Sequence, residues 1–217
     1  MSMYDAEKKE LIRGWKAQGL VLDKKLLEAF YAVPRENFVY KEDKDEAYAD
    51  YPLSIYYGQT ISQPLTVMLM TKLLNPQPGN KVLEVGAGSG YQAAILGKLV
   101  EPGGKVITIE IIPELAEFAR SNLERICVRN VEVINSDGSM GYEKEAPYDR
   151  IIVTAGNKMI PKSLFIQLRE QGTIVAPIGE NLKDLSIVWG KRRGNILRQR
   201  EIEHFSFVPL KGKYGFG

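Results

Sequence analysis

The sequence predicts an α/β fold with a mainly parallel, doubly wound sheet, an antiparallel edge and an N-terminal helical extension. Helical spacing dominates the first 75 residues, and strand and helix patterns then alternate up to about residue 180. Two further strands follow each other around residues 193–195. Repeated strand–helix units build a parallel sheet covered on both faces, whereas a tight turn pairs two strands antiparallel. We expect the 217 residues to form one domain with segments 1–75, 80–180 and 181–217.

The first segment is predicted to hold three helices and one ordered loop. Residues 7–18 and 24–32 carry apolar side chains at helical spacing, and the second run stops where Pro34 disfavours further helix. Residues 65–74 form a third helical run directly after Pro64, a residue suited to a first helical turn. Residues 43–57 are rich in tyrosine, aspartate and proline, which indicates an ordered loop.

Predicted strands and helices alternate along the chain from residue 81 to about residue 180, and two strands follow. We predict strands at residues 81–85, 105–109, 131–134, 150–153, 173–177, 185–191 and 196–207, and helices at residues 91–99, 113–126 and 163–170. The first five strands belong to the parallel part of the sheet, and the last two form the antiparallel edge.

Composition and charge exclude several classes of protein. The only cysteine, Cys127, cannot form an internal disulfide, and we expect it to be a small buried side chain. No apolar stretch approaches the roughly 20 residues that span a bilayer, and the charged N-terminus lacks the apolar run of a secretion signal. We therefore expect a cytoplasmic protein without a membrane partner.

The charged residues favour neither nucleic acid nor metal. The net charge is +2, and the basic run Lys191-Arg-Arg193 is interpreted as a solvated hairpin face. The single histidine and single cysteine form no cluster with metal-ligand spacing, so we expect no metal. We expect a monomer that does not bind nucleic acid.

A glycine loop follows the first strand of the alternating region and opens its first helix. It reads Glu84-Val-Gly-Ala-Gly-Ser-Gly90, and Tyr91 stands where the dinucleotide fingerprint G-x-G-x-x-G has its third glycine. The pattern G-x-G-x-G, with an acid two residues upstream, instead resembles motif I of Rossmann-like S-adenosylmethionine-dependent methyltransferases. Glycines here let the backbone approach a ligand closely. The candidate cofactor-binding residues of the loop are Gly86, Ala87, Gly88 and Ser89.

Acids stand at the ends of three consecutive strands. Glu84 can face the positive amino-acid end of the cofactor, directly or through water, and Glu110, followed by Ile111, can accept both ribose hydroxyls. Asp137, followed by Gly138, is placed to meet the adenine amino group. Because the carboxyl ends of parallel strands meet at one edge, these acids predict a single crevice for S-adenosyl-L-methionine.

The chain resembles the protein-L-isoaspartate O-methyltransferase family from about residue 29 to residue 210. The most telling motifs are Asp50-Tyr-Pro-Leu and Gly58-Gln-Thr-Ile-Ser-Gln-Pro64, which generic methyltransferases lack, together with Val82-Leu-Glu-Val-Gly-Ala-Gly-Ser-Gly-Tyr-Gln92 and Phe207-Val-Pro-Leu210. The chain departs from the family at Ser54-Ile55-Tyr56, where Pro-Ile-Gly is usual, and at Leu65, Thr66 and Gly156. These departures leave the preference for flanking substrate sequence open.

The resemblance implies methyl transfer to the free α-carboxylate of L-isoaspartyl residues in damaged proteins and peptides. It makes segment 1–75 the substrate side, segment 80–180 the cofactor-binding core and segment 181–217 a C-terminal β region. Ser62 corresponds to the family's active-site serine and would orient the acceptor, with backbone contacts from Thr60 and Ile61. Ser62 is also a candidate to cap the helix that follows it, either instead of this role or together with it, because a helix N-terminus can also hold a carboxylate. A carboxylate is already ionised at neutral pH, so the reaction needs no general base.

Two other functions are compatible with the same sheet. A base-methylating RNA enzyme, such as one acting on tRNA, would share motif I, but residues 153–156 read Val-Thr-Ala-Gly rather than the Asn/Asp-Pro-Pro-aromatic run of many amino-methylating enzymes. A binding module that keeps a relic pocket is the second alternative. Intact acids at three strand ends argue against it.

Overall fold

The computed structural model describes residues 4–216. Three helices lie in the N-terminal part, as predicted: α1 (Asp5–Ala17), α2 (Lys24–Ala32) and α3 (Pro64–Leu74). The Asp23 carboxylate accepts a hydrogen bond from the backbone N–H of Leu26 at 2.9 Å and so caps α2. Apolar residues of α1 and α2 pack in one cluster with α4 (Tyr91–Val100) and α5 (Pro113–Arg125), which fixes the N-terminal extension against the core.

The predicted loop at residues 43–57 contains more regular structure than its composition indicates. Strand β1 (Leu53–Ser54) pairs antiparallel with β2 (Thr60–Ile61), and the turn between them includes the 3₁₀ turn Tyr56–Gly58. We call residues 53–61 the cover hairpin. Strands of two residues are too short to show an alternating pattern, which is why the sequence did not predict them.

The central sheet has seven strands in the order β5-β4-β3-β6-β7-β8-β9. Its strands are β3 (Lys81–Val85), β4 (Lys105–Glu110), β5 (Val131–Asn135), β6 (Tyr148–Val153), β7 (Leu168–Asn181), β8 (Asp184–Arg193) and β9 (Ile196–Phe205). The pairs among the first five are parallel, and β7–β8 and β8–β9 are antiparallel. Helices α4 (Tyr91–Val100), α5 (Pro113–Arg125) and α6 (Lys162–Gln167) follow β3, β4 and β6. The predicted sheet with its antiparallel edge is confirmed.

The strand order creates one crevice. The chain runs outward from β3 to β4 and β5, then returns to place β6 on the other side of β3. Ligands of open α/β sheets bind outside the carboxyl ends of the strands at such a switch point. Successive residues of β3 point to opposite faces of the sheet: Leu83 packs in one apolar cluster and Val82 in another. The sheet is therefore covered on both sides.

Two expectations were wrong in detail. The predicted helix at residues 163–170 ends at Gln167, because Leu168 is fully buried and pairs with Tyr148 as the start of β7. Cys127 is exposed rather than buried, since it lies in the turn after α5 with a φ of 58°. Within residues 4–216, no helix is both long and apolar enough to cross a membrane.

Candidate active site

A cavity of about 900 Å³, counting its open mouth, lies at the switch point of the sheet. Its lining comes from four parts of the chain: the glycine loop, the ends of β4, β5 and β6, the cover hairpin with the start of α3, and residues 208–211 near the C-terminus. Of the residues predicted from sequence, it contains Thr60, Ile61, Ser62, Gly86, Ala87, Gly88, Ser89, Glu110, Ile111 and Gly138. We call it the cofactor pocket.

The glycine loop is shaped by backbone that only glycine adopts easily. Gly86 has a φ of 100° and Gly88 a φ of 52°. The backbone N–H groups of Gly86 and Ala87 both donate to the carbonyl of Ile109, at 2.8 and 3.1 Å. A Cβ on Gly86 would lie 2.3 Å from Oγ1 of Thr154, whose hydroxyl donates to the Gly86 carbonyl at 2.7 Å. The loop therefore has no room for a side chain at its first glycine.

Glu110 lines the pocket and also holds the loop. Its carboxylate accepts hydrogen bonds from the backbone N–H of Gly88 at 2.9 Å and of Ile112 at 3.0 Å. Each oxygen retains a second lone pair for a ligand hydroxyl. The acid therefore holds the glycine loop in position while it also lines the pocket.

Glu84 lies beneath the pocket rather than in its lining, and its side chain is fully buried. Burial raises its pKa to about 8, an effect that the Thr108 hydroxyl partly offsets and the charge of Glu110 increases. Within the described part of the chain, neither carboxylate oxygen of Glu84 has a hydrogen-bond partner of good geometry. An unpartnered acid below the glycine loop fits a cofactor with a cationic amino group, reached through water. Of the two contacts that the sequence left open for Glu84, direct or through water, this burial favours the one through water.

Asp137 is also outside the lining, although Gly138 beside it is inside. One oxygen of Asp137 accepts from the backbone N–H and the hydroxyl of Ser139, at 2.9 and 2.7 Å. The other accepts from the backbone N–H of Lys213 at 2.8 Å. The carboxylate that was expected to meet an adenine amino group thus anchors a segment 76 residues further along the chain.

That segment, residues 208–216, forms a C-terminal strap across the pocket. Val208, Pro209, Leu210 and Lys211 line the cavity. Backbone hydrogen bonds of 2.8 Å join Gly156 to the strap in both directions, from its N–H to Val208 and from Leu210 to its carbonyl. Sequence reasoning assigned no pocket residue here. The only signal was the Phe207-Val-Pro-Leu210 motif, which carried resemblance but no role.

Ser62 does not cap α3. The helix begins at Pro64 after Gln63, with no side-chain bond from that residue, and the carboxylate of Asp50 accepts from the backbone N–H of Leu65 at 2.9 Å. The second oxygen of Asp50 accepts from the indole N–H of Trp15 at 2.8 Å, which ties α1 to the start of α3. The capping alternative for Ser62 is therefore wrong. In residues 4–216 the Ser62 hydroxyl forms no hydrogen bond.

A second cavity adjoins the first, and we call it the acceptor groove. Both cavities are lined by Thr60, Ser62, Thr66, Thr154 and Val208. The rest of the groove comes from Pro52, Gln63, Leu182, Lys183, Asp184, Phe205, Ser206 and Phe207. None of these eight was predicted as a site residue. Pro52, Gln63 and Phe207 lie in motifs that carried resemblance but no role, and the other five lie on turns and strand ends without a motif. Ser62 and its neighbours form the boundary between the two cavities.

The departures from the family pattern lie around these cavities. Thr66 is buried and lines both of them, whereas Leu65 is half-buried. Gly156 has a packing reason, because a Cβ there would lie 2.4 Å from Cδ1 of Leu185. Tyr56 is half-exposed and lies on the cover hairpin. Among the side chains that the structure describes, which leave out those of residues 202–204, no three His, Cys, Asp or Glu residues come together as a metal site.

Comparison with known proteins gives a consistent result. Residues 6–215 match the model of the protein-L-isoaspartate(D-aspartate) O-methyltransferase family. The chain is 51% identical over 213 residues to protein-L-isoaspartate O-methyltransferase 2 of Archaeoglobus fulgidus, covering 98% of this chain and 96% of that one. It is 48% identical to the protein-L-isoaspartate O-methyltransferase of Methanopyrus kandleri, covering 96% and 93%.

Solved structures give the same picture. A protein-L-isoaspartate O-methyltransferase aligns with a TM-score of 0.85 at 29% identity, over 95% of this chain and 67% of that one. A structure from Plasmodium falciparum, described as a protein-L-isoaspartate O-methyltransferase in complex with S-adenosyl-L-homocysteine, aligns with a TM-score of 0.82 at 26% identity, over 94% and 98%.

Proposed function

Because the chain belongs to the protein-L-isoaspartate(D-aspartate) O-methyltransferase family, we propose that it transfers a methyl group from S-adenosyl-L-methionine to the free α-carboxylate of L-isoaspartyl residues. In such a residue the chain continues through the side chain, which leaves the α-carboxylate unlinked. Methylation of this carboxylate in damaged proteins and peptides initiates their repair. The alternative of tRNA base methylation is not favoured, since the matching relatives are named for the isoaspartyl activity.

The observation that carries this proposal is the place of Ser62. Its hydroxyl is free of hydrogen bonds within residues 4–216, and the residue lines both the cofactor pocket and the acceptor groove. A methyl donor in one cavity and a carboxylate in the other meet at this boundary. Ser62 is proposed to donate its hydroxyl proton in a hydrogen bond to the acceptor carboxylate and so orient it, with help from Thr60 and Ile61.

The cofactor pocket suits S-adenosyl-L-methionine part by part. The glycine loop allows close approach, Glu110 is proposed to face the ribose, and buried Glu84 is proposed to supply a water-mediated hydrogen-bond acceptor below the amino group. When bound, the cofactor supplies a methyl group already activated by the positive charge of its sulfonium. Asp137 is proposed to act on the adenine end through the strap that it anchors, and Gly138 through its backbone.

The protein's task in the reaction is mainly orientation. A carboxylate with a pKa of about 4 is ionised at neutral pH, so no side chain has to remove a proton. A carboxylate oxygen bonds to the methyl carbon while the carbon–sulfur bond breaks, and its electron pair stays on sulfur, which becomes neutral. Holding two such groups in line supplies about 7–11 kcal/mol of the barrier in favourable cases. The enzyme is proposed to act as a monomer, since one chain lines both cavities.

Transfer of tritiated methyl groups tests the proposal. We expect the protein to label an isoaspartyl peptide, and to label neither the aspartyl peptide of the same sequence nor bulk tRNA. The ester formed should be lost in mild alkali, whereas a methylated base would retain its label. Equal labelling of the two peptides, or labelling of tRNA alone, would overturn the proposed function.

A further inference from the structure

The cover hairpin is held in a fixed shape by its turn. The N–H of Ile55 donates to the Gln59 carbonyl at 2.9 Å, and the side-chain amide of Gln59 donates to the Tyr57 carbonyl at 3.1 Å. Tyr57 has a φ of 62° and a ψ of 32°, the left-handed region that non-glycine residues seldom adopt. A strained residue persists only where its surroundings hold it, so the turn has a defined position.

The hairpin lies directly on the glycine loop. Ile55 is buried, and its Cδ1 lies 3.6 Å from where a Cβ on Gly88 would stand. The last three residues of the hairpin, 59–61, belong to the lining of the cofactor pocket. The hairpin therefore forms the wall of the pocket opposite the sheet, and its position sets how tightly the pocket encloses its ligand.

The ring of Tyr56 joins this wall to α5, next to the Tyr57 hydroxyl, which interacts with Glu114 of the same helix. The Tyr56 ring packs edge-on against Tyr40, with centroids 4.8 Å apart and planes at 74°, and against Phe118, at 5.3 Å and 90°. Phe118 lies on α5, the helix that begins just after the pocket residues Glu110–Ile112. Edge-to-face pairs of this geometry stabilise beyond the area they bury. Removing Tyr56 would separate the hairpin from the ribose side of the pocket without touching the lining.

The side chain is also one of the departures named in the sequence analysis, because Tyr56 stands at the glycine of the family's Pro-Ile-Gly pattern. Nothing in the reaction requires an aromatic ring at this position, and Tyr56 does not line either cavity. We propose that Tyr56 is a positioning residue that latches the cover hairpin onto α5 and slows the release of the cofactor and its product. The proposal rests on the proposed function for the identity of the cofactor.

The test measures release of tritiated S-adenosyl-L-homocysteine in a chase with unlabelled compound, and the kinetics of methyl transfer. In Tyr56→Ala, release should be about tenfold faster and the KM for S-adenosyl-L-methionine about tenfold higher, the factor expected for two aromatic pairs. The kcat at saturating substrates should not fall, because Ser62 keeps its place. Tyr56→Phe should restore release to within about twofold, since the ring alone makes both contacts.

Tyr51→Ala is the matched control. Tyr51 is 47% exposed and Tyr56 49%, both lie in the same stretch of chain, and neither lines a cavity. Tyr56 packs on Phe118 of α5, whereas the Tyr51 hydroxyl donates a hydrogen bond to Glu46. Release at the wild-type rate from Tyr56→Ala, or equal acceleration in Tyr51→Ala, would overturn the latch. A fall in kcat alone would also overturn it.

A second variant keeps the proposal testable if Tyr56→Ala does not fold. Phe118→Ala removes one partner of the latch from α5, and it should accelerate release as well. The double variant should release no faster than the more affected single variant, since the two rings act as a pair. Additive effects would contradict the latch. Release of S-adenosyl-L-homocysteine is measured without an acceptor. Absence of isoaspartyl methylation in the wild type would therefore overturn the proposed function, while the release measurement would still test the latch.

Discussion

The two walls of the cofactor pocket are built in different ways. The sheet wall consists of the strand ends and the glycine loop, and the side chains of Val85, Ile109 and Val153 in it are at most 2% exposed. The cover wall consists of the cover hairpin, with two residues in each strand, the adjoining Ser62 and the C-terminal strap. The sheet wall is part of a continuous ladder of backbone hydrogen bonds. The cover wall is held by separate hydrogen bonds and a few contacts between aromatic rings.

This difference in construction indicates that the two walls control different properties of the site. Elements with few buried contacts open and adjust at lower free energy than a core sheet. We therefore expect substitutions in the sheet wall to act on cofactor affinity, and substitutions in the cover wall to act on acceptor orientation and on the exchange of ligands. Four substitutions test that division, in order of decreasing effect.

The largest effect is expected at Gly86, in the sheet wall. Gly86→Ala places a Cβ 2.3 Å from Oγ1 of Thr154 at a φ of 100°, so the loop has to shift. Strain of this kind costs about 1–3 kcal/mol and the clash adds to it, so affinity for S-adenosyl-L-methionine should fall at least about a hundredfold by calorimetry. Gly103→Ala is the control, because Gly103 has a φ of 81° and open space around it. Comparable losses in both variants would mean that backbone strain alone is responsible.

Ser62→Ala comes next and tests the cover wall. The loss should appear in kcat as well as kcat/KM, because the hydroxyl orients the acceptor in the transition state, while cofactor affinity stays within about twofold. A hydrogen bond to a charged group corresponds to about 10- to 150-fold in rate. Wild-type turnover of an isoaspartyl peptide would remove Ser62 from the reaction. Since Ser62 caps no helix, the melting temperature should be unchanged, and a large fall would point to a structural role instead.

Gly212→Ala is expected to have a smaller effect, because it disturbs the strap from outside the lining. Gly212 has a φ of 127°, and its Cβ would lie 2.0 Å from the Asp137 carboxylate that binds the N–H of Lys213. The strap should detach at this point, and the KM for the cofactor should rise about tenfold, the factor for one charge-assisted hydrogen bond. Limited proteolysis at Lys211 and Lys213 should become faster. A normal KM would show that the strap does not help to close the pocket.

The smallest effect is a pH dependence of stability from Glu84. Its pKa is raised from 4.5 to about 8 in the folded protein, so the folded state binds the proton more strongly and stability falls as pH rises from about 5 to 8. The melting temperature of the cofactor-free protein should fall by on the order of 5 °C across that range. In Glu84→Gln this component should disappear. A constant difference between the two proteins at all pH values would show that Glu84 is ionised throughout.

The sequence predicted the sheet wall better than the cover wall, and the reasons are physical. Glycines and acids at strand ends fall at one edge of any parallel sheet, so the place of Gly86, Gly88 and Glu110 in the lining followed from the pattern alone. The exact depth of a side chain did not follow. Glu84 lies one residue before the end of β3, inside the strand, and that position hides it below the loop.

Long-range contacts account for what the sequence missed. The sequence assigned Asp137 to the adenine because it follows a strand, and it gave no sign that a backbone N–H 76 residues away binds one of its oxygens. Ser62 was weighed as a helix cap, and Asp50, 15 residues before Leu65, takes that role instead. Backbone donors carry no sequence signature, so such partners become visible only in three dimensions.

Because the strap lines the pocket, ligand binding depends on the complete fold, including the C-terminal residues 208–211. The residues that line the pocket range from 59 to 211 of the chain. A ligand inside it therefore contacts segments that lie far apart in the sequence and meet only when most of the chain is folded. Contacts of such high sequence separation form late in folding. A ligand at a hundredfold excess over its Kd adds about 2.7 kcal/mol to the stability of the state that binds it. Saturation with S-adenosyl-L-homocysteine should therefore merge the loosening of the hairpin and the strap with the melting of the sheet into a single cooperative transition.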